Sequence, residues 1–495
     1  MRLAEGRNHD SKSEWHNVEF VIGHSVPALV LSSSTEGCSA QFVVQNALSL
    51  SLASRCSPIP MICDLQLSCR PIIALPARIT TRIAPEIFNH ILVNYCDLKN
   101  DLANFSTVSV TWLSLCRFYL FAEVKYRANF ALFMQSSSHA TSTIAPHIKK
   151  LYVAGNHVTE DGVILPIIKD FIFTLPNLRC LHLGHMMDIG IAQPPLSSMS
   201  VNGHSGYRLS SLIISSSHFA VFTHFIDFLE VSSALEDLSL DNMSCDGVGD
   251  LAEAGDTKRV SALEPSSLKR INIVFCHQIV TKILNWLQCR ILSDCFIENA
   301  FNRRQSFPCL KSIHLPDILP AELLSVNGFL ANVGSALEEL DFGLVTQNDD
   351  LLDHQGAVSR RVLDLSSNIN IKRLVFHHII LYHFPAKPTE SGAGCSADGS
   401  PYLWLINSLS TISSTDIQSL GFHIWLSSES QLDILPWSTF DKIVAVVQPQ
   451  QINFIISGFG TDTELVEGWF KKRLCNVVSG RQTEITFTFT GLYTP

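Results

Sequence analysis

The chain has 495 residues, of which 46% are hydrophobic and 16% are charged, and its formal net charge at pH 7 is −10. This length exceeds what one compact core accommodates, so we expect an elongated array or several domains. The acidic balance and the lack of a basic stripe argue against nucleic acid as a partner.

The N-terminal segment, residues 1–74, is rich in serine, with scattered cysteine and proline, and no helical or strand periodicity persists there. This composition predicts an irregular or disordered leader, with a short helix around residues 40–53 as the competing interpretation. Residues 385–401, PAKPTESGAGCSADGSP, predict a flexible insertion.

The next segment, residues 83–124, predicts three short helices. Pro85 suits the first turn of the first helix, Leu102 lies near the start of the second, and the third runs from about Trp112 to Phe121. Three helices in about 40 residues bury little core alone, so such a unit usually depends on a partner.

From about residue 145 the chain repeats one phrase, apolar-x-x-apolar-x-apolar. Nine copies start 26 to 46 residues apart. They are Ile148–Leu151–Val153, Leu178–Leu181–Leu183, Leu209–Leu212–Ile214, Leu235–Leu238–Leu240, Leu268–Ile271–Ile273, Leu310–Ile313–Leu315, Leu337–Leu340–Phe342, Ile371–Leu374–Phe376 and Ile417–Leu420–Phe422. A phrase recurring at such a period is typical of a solenoid, and its alternating end predicts one strand for each copy.

The segments between the phrases supply the return path that parallel strands need. Residues 161–173, 219–229, 279–292 and 319–333 show helical spacing, and Pro320 suits the first turn of the last. Residues 452–456 and 486–490 predict two closing strands. The predicted fold is therefore an α/β solenoid with parallel strands, preceded by the helical module; a doubly wound α/β enzyme is the alternative.

The helical module resembles an F-box, and the chain from about residue 75 to 495 resembles fungal F-box proteins with a leucine-rich-repeat-like domain. The resemblance is carried by Pro85, Glu86, Ile87, Phe88, Ile91, Leu92, Leu102, Phe105, Ser106, Val108, Ser109, Trp112, Arg117, Leu120, Phe121 and Val124. It implies a module with linker at 75–135, a solenoid at 136–495, and the role of substrate receptor in a cullin–RING ubiquitin ligase. Ala84 stands where the family usually has leucine.

In this family the F-box docks on a Skp-type adaptor bound to a cullin scaffold, and the repeats hold a protein substrate. The apolar candidates for the adaptor contact are Pro85, Ile87, Ile91, Leu92, Leu102, Val108, Trp112 and Leu113. Trp112 is the best anchor, because buried aromatic residues dominate interface energetics. The alternative is that Ile91, Phe105 and Trp112 form the module's own core. The alternative function is a non-catalytic protein-binding scaffold outside ubiquitin chemistry with a degenerate F-box, which the departure at Ala84 and the unusual leader favour.

Side chains between the last two apolar positions of each phrase must point away from the core. These residues are Tyr152, His182, Ile213, Ser239, Asn272, His314, Asp341, Val375 and Gly421. We expect them to form a ladder across one face, with Tyr152, His182, Ser239, Asn272, His314 and Asp341 as the substrate-binding candidates. No arginine cluster lies along it, which favours an unmodified protein surface over a phosphorylated motif. Binding by loops is the alternative.

Motifs that carry catalysis were not found. The chain has no G-x-x-x-x-G-K-S/T and no G-x-S-x-G, and Gly392-x-Gly394 lies in the flexible insertion. His182/His185 and His377/His378 have no carboxylate or cysteine neighbours at ligand spacing. We therefore expect no enzyme activity, no cofactor and no metal site.

Cysteine usage and the start of the chain bear on location. None of the 14 cysteines forms a C-x-x-C pair, and Cys63/Cys69 and Cys289/Cys295 lack histidines at zinc-finger spacing. The opening residues are polar, and no apolar run reaches the roughly 18 residues of a membrane span. We expect a reduced cytoplasmic or nuclear protein with no membrane partner.

Overall fold

The computed structural model describes helical positions Glu86, Ile87, His90, Leu92 and Leu102, and a set of longer segments. These segments are 110–126, 144–154, 175–186, 209–229, 232, 234–247, 267–277, 279–295, 307–345, 362–381, 402–458, 463–479 and 483–490. The chain divides into two units, Met1–Pro71 and Ile72–Pro495, and every described residue belongs to the second. The leader, the helix predicted at 161–173 and the insertion lie outside the described residues.

The described strands and helices alternate along much of the chain. The strands are β1 Glu123–Tyr126, β2 Lys150–Ala154, β3 Cys180–Gly184, β4 Ser211–Ser215, β5 His218–Val221, β6 Asp237–Asp241, β7 Ser244–Gly247, β8 Arg270–Val274, β9 Ser312–Ile318, β10 Glu339–Leu344, β11 Arg373–Ile380, β12 Ser419–Trp425, β13 Gln451–Ser457 and β14 Glu484–Phe489. The helices are α1 Val110–Leu120, α2 Phe222–Leu229, α3 Val280–Cys295, α4 Leu323–Val333, α5 Leu403–Ser410, α6 Trp437–Val447, α7 Thr463–Arg473 and α8 Cys475–Ser479.

Twelve of the strands form one sheet in the order β1-β2-β3-β4-β6-β8-β9-β10-β11-β12-β13-β14, and every described pair is parallel. The alternating ends of all nine phrases are strands of this sheet, as predicted, and the closing strands predicted at 452–456 and 486–490 extend it as β13 and β14, of which β14 ends at Phe489. Among the described strands, β5 and β7 alone pair separately. Strands that follow chain order across a sheet are what a solenoid-like α/β fold requires.

The apolar residues of the phrases form the core. All of them are 3% exposed or less, and equivalent positions face one another across the sheet, as Leu151, Leu181 and Leu212 do. The register therefore follows from the repeat, because a one-residue slip would turn every apolar side chain to the solvent.

The strand ends share a turn that no apolar pattern encodes. His185, Ser216, Asn242 and Phe275 follow β3, β4, β6 and β8 with φ between 47° and 53°. In the first three, the backbone N–H donates to the last carbonyl of the next strand, as Asn242 does to Val274 at 2.8 Å. Phe275 instead donates to the Asp317 carboxylate at 3.2 Å.

The helices agree with the sequence predictions in part. α3 lies where residues 279–292 predicted it, whereas α2 begins at Phe222 because residues 218–221 form β5 and pair with β7. Helix α4 begins at Leu323, so Pro320 lies in the preceding turn and not in its first helical turn. The third helix of the module ends at Leu120 and does not reach Phe121.

The described part of the helical module contains a small core of its own. Leu92, Leu102, Trp112 and Cys116 are buried against one another. After α1, β1 pairs in parallel with β2. The sheet therefore begins at Glu123, inside the segment that the resemblance assigned to the module and its linker. The full set of three helices lies beyond what the structure describes.

Candidate functional site

The residues between the apolar positions do form a continuous row, which we call the face ladder. Each pairs with the next in register, from Tyr152 on β2 to Gly421 on β12. From Tyr152 to Asp341 the row crosses seven strands, or about 29 Å at the usual strand spacing. Its side chains from Tyr152 to Asp341 are half-buried, whereas Val375 and Gly421 are buried. The row is thus less exposed than the alternation alone predicted.

The first part of the face ladder is aromatic. The Tyr152 ring meets the edge of the His182 ring, with centroids 4.4 Å apart, and His182 Nε2 shares a hydrogen bond with Ser215 Oγ at 2.9 Å. Gly184 makes room for this contact, since an added Cβ would lie 2.9 Å from the Tyr152 hydroxyl. Burial lowers the pKa of His182, and the nearby His185 and Lys125 act in the same direction.

The middle of the face ladder is polar and bonded across strands. Asn272 Nδ2 donates to Ser239 Oγ at 2.9 Å, so neighbouring side chains hold each other in place. The buried Asn272 Oδ1 has no hydrogen-bond partner among the described residues. A partner that carries a donor group would satisfy this oxygen.

The most concentrated chemistry lies on β9, β10 and β11. His314 Nδ1 donates to Asp341 Oδ2 at 2.9 Å, and His377 Nε2 lies 4.0 Å from the same oxygen. Arg373 Nη1 donates to Asp341 Oδ1 at 2.8 Å, and the His423 ring lies 4.2 Å from that of His377. Three strands thus bring two imidazoles to one carboxylate.

The protonation of this cluster follows from its burial together with the hydrogen bonds and charges around it. Burial alone raises the pKa of Asp341, but the hydrogen bond from His314 and the charge of Arg373 lower it overall, so the carboxylate is ionised. Burial lowers the pKa of His377 to about 3, with His423 acting in the same direction and Asp341 opposing. His377 is therefore a neutral imidazole at physiological pH.

Asp341 as a neighbour of His377 was missed from sequence, because the two residues lie on different strands. The repeat register does predict that His314 and Asp341 meet, since both occupy the same phrase position. It does not place His377, which lies beyond the phrase on a longer strand that carries a register shift between Phe376 and Ile379. The expectation that the His377/His378 pair has no carboxylate neighbour is therefore wrong, because strands distant in sequence bring carboxylates to both. Asp341 lies near His377, and Asp317 Oδ1 lies 2.6 Å from His378 Nε2.

Charged residues border the face ladder where the strands begin. Arg270 donates to both carboxylate oxygens of Asp237, at 2.6 and 2.7 Å. Glu338 accepts from Lys311 and Lys372, and these bonds lower its pKa to about 2. Ion pairs therefore join β6 to β8, and the start of β10 to the starts of β9 and β11.

The adaptor candidates divide by burial. Leu92, Leu102 and Trp112 are buried in the module's own core, whereas Ile87 is 54% exposed and Leu113 is half-buried. Pro85, Ile91 and Val108 lie outside the described residues. In the free chain, Trp112 therefore belongs to the core of its module, the alternative that the sequence left open.

No protein-family model and no curated protein matches this chain. Among the residues that the structure describes, none of the helices combines the length and apolarity needed to cross a membrane.

Proposed function

We propose that the chain binds a protein partner across the face ladder and acts, without catalysis, as the substrate receptor of a cullin–RING ubiquitin ligase. The observation that supports this best is the register of the ladder. It brings aromatic, imidazole, amide, hydroxyl and carboxylate groups into one row of about 29 Å, a span suited to a protein surface.

The pairing of the nearest arginines favours an unmodified substrate. Arg270 is engaged with Asp237 and Arg373 with Asp341. Recognition of a phosphate relies on guanidinium groups free to form bidentate bonds. A substrate that offers donors and apolar groups fits Tyr152, His182 and Asn272 better.

The helical module would supply the contact to the Skp-type adaptor. Ile87 carries this proposal, because an apolar side chain with half of its surface in water gains from burial in a partner groove. Trp112 would act indirectly, by holding the small core on which the module depends.

The described cysteines fit the reducing cytoplasm or nucleus that this role requires. Cys180, Cys276, Cys309 and Cys475 are free thiols. Burial raises the pKa of Cys276 to about 12, which keeps it protonated and unreactive.

The adaptor contact is tested with the purified chain and a purified Skp-type adaptor. We expect Ile87→Ser to weaken binding at least tenfold, which corresponds to about 1.4 kcal/mol. Leu324→Ser is the matched control, because Leu324 is 85% exposed on α4, outside the module. If the folded wild-type chain fails to bind, the scaffold alternative, favoured by the burial of Trp112, replaces the ligase role.

The binding face is tested by comparing proteins captured from native extract by two variants. One replaces Tyr152, His182, Ser239 and Asn272 with Ala, and the other replaces the exposed helical residues Leu324 and Val446 with Ala. Quantitative mass spectrometry should show that partners of the wild type are lost only with the first variant. Retention of those partners by the first, folded variant would assign binding to the loops.

A further inference from the structure

We propose that His314, Asp341 and His377 bind one divalent transition-metal ion of the zinc type. The residues lie on three consecutive strands, β9, β10 and β11, and their candidate ligand atoms lie within 4.8 Å of one another. Two imidazoles and one carboxylate are a ligand set that suits zinc and its neighbours, since imidazole is a borderline ligand and these ions favour it.

The spacing of the ligand atoms fits such an ion. Asp341 Oδ2 lies 2.9 Å from His314 Nδ1 and 4.0 Å from His377 Nε2. Ligand bonds of about 2.1 Å in a tetrahedral site place neighbouring ligand atoms about 3.4 Å apart. Both observed distances fall within about 0.6 Å of that value, so small side-chain rotations suffice.

His377 provides an independent indication. Its Nε2 is buried and has no hydrogen-bond partner among the described residues. Buried polar atoms are almost always satisfied, and each exception calls for an explanation. An ion between His377 and Asp341 would satisfy this nitrogen, since an imidazole nitrogen is the commonest metal ligand in proteins.

The surrounding groups orient the ligands. Arg373 holds Asp341 Oδ1 and leaves Oδ2 facing both imidazoles, and the His423 ring packs against that of His377. Ligation through His314 Nδ1 requires the tautomer with its proton on Nε2. The His314 side chain is 33% exposed, so that proton can be hydrated and an ion can enter from solvent. The fourth position is left to water or to a group of a bound partner.

The test uses the full chain, stripped of metal under reducing conditions and titrated with Co²⁺ and then Zn²⁺. The chain has 14 cysteines, which could bind metal adventitiously, so the readout must identify the ligands. Thiolate ligation gives Co²⁺ an intense near-ultraviolet charge-transfer band, whereas nitrogen and oxygen ligands give only weak visible bands. We expect one equivalent of Co²⁺, displaced by Zn²⁺, without the thiolate band.

Variants assign the site. We expect His377→Ala and Asp341→Asn to weaken Co²⁺ binding at least about a hundredfold, because loss of an outer partner alone costs up to that much. His218→Ala is the matched control, since His218 is a half-buried histidine on β5, outside the face ladder and the proposed site, and its loss should leave Co²⁺ binding unchanged. Circular dichroism checks that each variant is folded.

Two results would overturn the proposal. One is a folded wild-type chain that binds no stoichiometric ion, which would leave a hydrogen-bonded histidine–aspartate network. The other is binding that survives both ligand substitutions. If these variants fail to fold, Co²⁺ binding is measured with His314→Gln, because His314 is the most exposed of the three ligands. Loss of binding supports the site, and retention rejects it.

Discussion

The strands of the main sheet from β2 to β8 and those from β9 to β14 are built on one repeat but differ in what they bury. The first part has five-residue strands whose buried side chains are aliphatic. In the second part, the strands run to six, seven or eight residues, and the Phe376, Phe422, Phe454 and Phe487 rings stack on one another, with centroids 5.5 to 5.9 Å apart.

The two parts also differ in polarity. Among the described residues, the buried polar side chains of the first part are Ser217 and Ser232. Those of the second part include Asp317, Glu322, Asn368, Ser408, Ser414, Gln431 and Asp441. Buried carboxylates and amides cost free energy unless they form hydrogen bonds. The stability of the second part therefore depends more on side-chain hydrogen bonds, and that of the first part more on backbone hydrogen bonds. The shared repeat thus determines the parallel sheet, whereas strand length and the composition of the core differ between its two parts.

The largest effect should come from the phenylalanine stack. Phe422→Ala removes a fully buried ring between Phe376 and Phe454 and should lower the free energy of unfolding by about 3–5 kcal/mol. Because each repeat contacts mainly its neighbours, hydrogen exchange should accelerate from β11 to β13 and stay unchanged from β3 to β6.

Leu238→Ala in the first part is the counterpart of this substitution. It should cost about 2–5 kcal/mol and accelerate exchange from β4 to β8 only. Equal acceleration across the whole sheet in either variant would show that the two parts unfold as one.

The next effect concerns pH, through Glu322 before α4. Burial raises the pKa of Glu322 to about 7, although its Oε2 accepts the Leu319 N–H at 2.8 Å. A folded-state pKa above the unfolded value means that stability is greatest below about pH 4.5 and is lost as pH rises through about 7, by about 3 kcal/mol.

Glu322→Gln removes this ionisation. Chemical denaturation at several pH values should show the variant gaining about 3 kcal/mol on the wild type between about pH 4.5 and 8. Glu339→Gln, at an exposed position on β10, controls for the loss of one charge. A constant difference between wild type and Glu322→Gln across that range would contradict the expected burial of a charged carboxylate.

A smaller effect separates the two ways of ending a strand. Asp317→Ala removes the acceptor of the Phe275 N–H and the neighbour of His378, and should cost about 1–3 kcal/mol. Asp317→Asn keeps an acceptor oxygen and should lose less. In the turn at Asn242 the acceptor is the backbone carbonyl of Val274, so Asn242→Gly should change the free energy of unfolding little. A loss larger than that of Asp317→Ala would show that the two kinds of strand end do not differ in this way.

The smallest effect should come from the charges at the strand starts. Glu338→Gln loses the ion pairs with Lys311 and Lys372, which are partly exposed, and should change the free energy of unfolding by less than about 1 kcal/mol. The difference should shrink further in 1 M salt. A loss that exceeds that of Asp317→Ala would mean that the ion pairs of Glu338 stabilise the second part more than the buried Asp317 carboxylate does.

For the face ladder, the sequence predicted the positions of the residues but not their burial. Tyr152, His182, Ser239, Asn272, His314 and Asp341 were predicted to share one face, and the structure places them there in register. Their half-burial was not predicted, because it depends on bonds between neighbouring side chains. The burial of Gly421 was not predicted either. It lies against the buried Val375, and a Cβ added at Gly421 would be 3.0 Å from a Val375 methyl group.

The sequence by itself determined the strands of the nine phrases and the two that follow them, their order and which face is core, because these follow from a local alternation repeated at a regular interval. Only the tertiary structure decided that Trp112 is buried, that β5 replaces the start of a helix, and that His377 approaches Asp341. Each of these depends on contacts between residues distant in the chain, and a local pattern carries no information about such contacts. The metal site proposed above rests on the last of these contacts, whereas the binding face follows the register of the repeat.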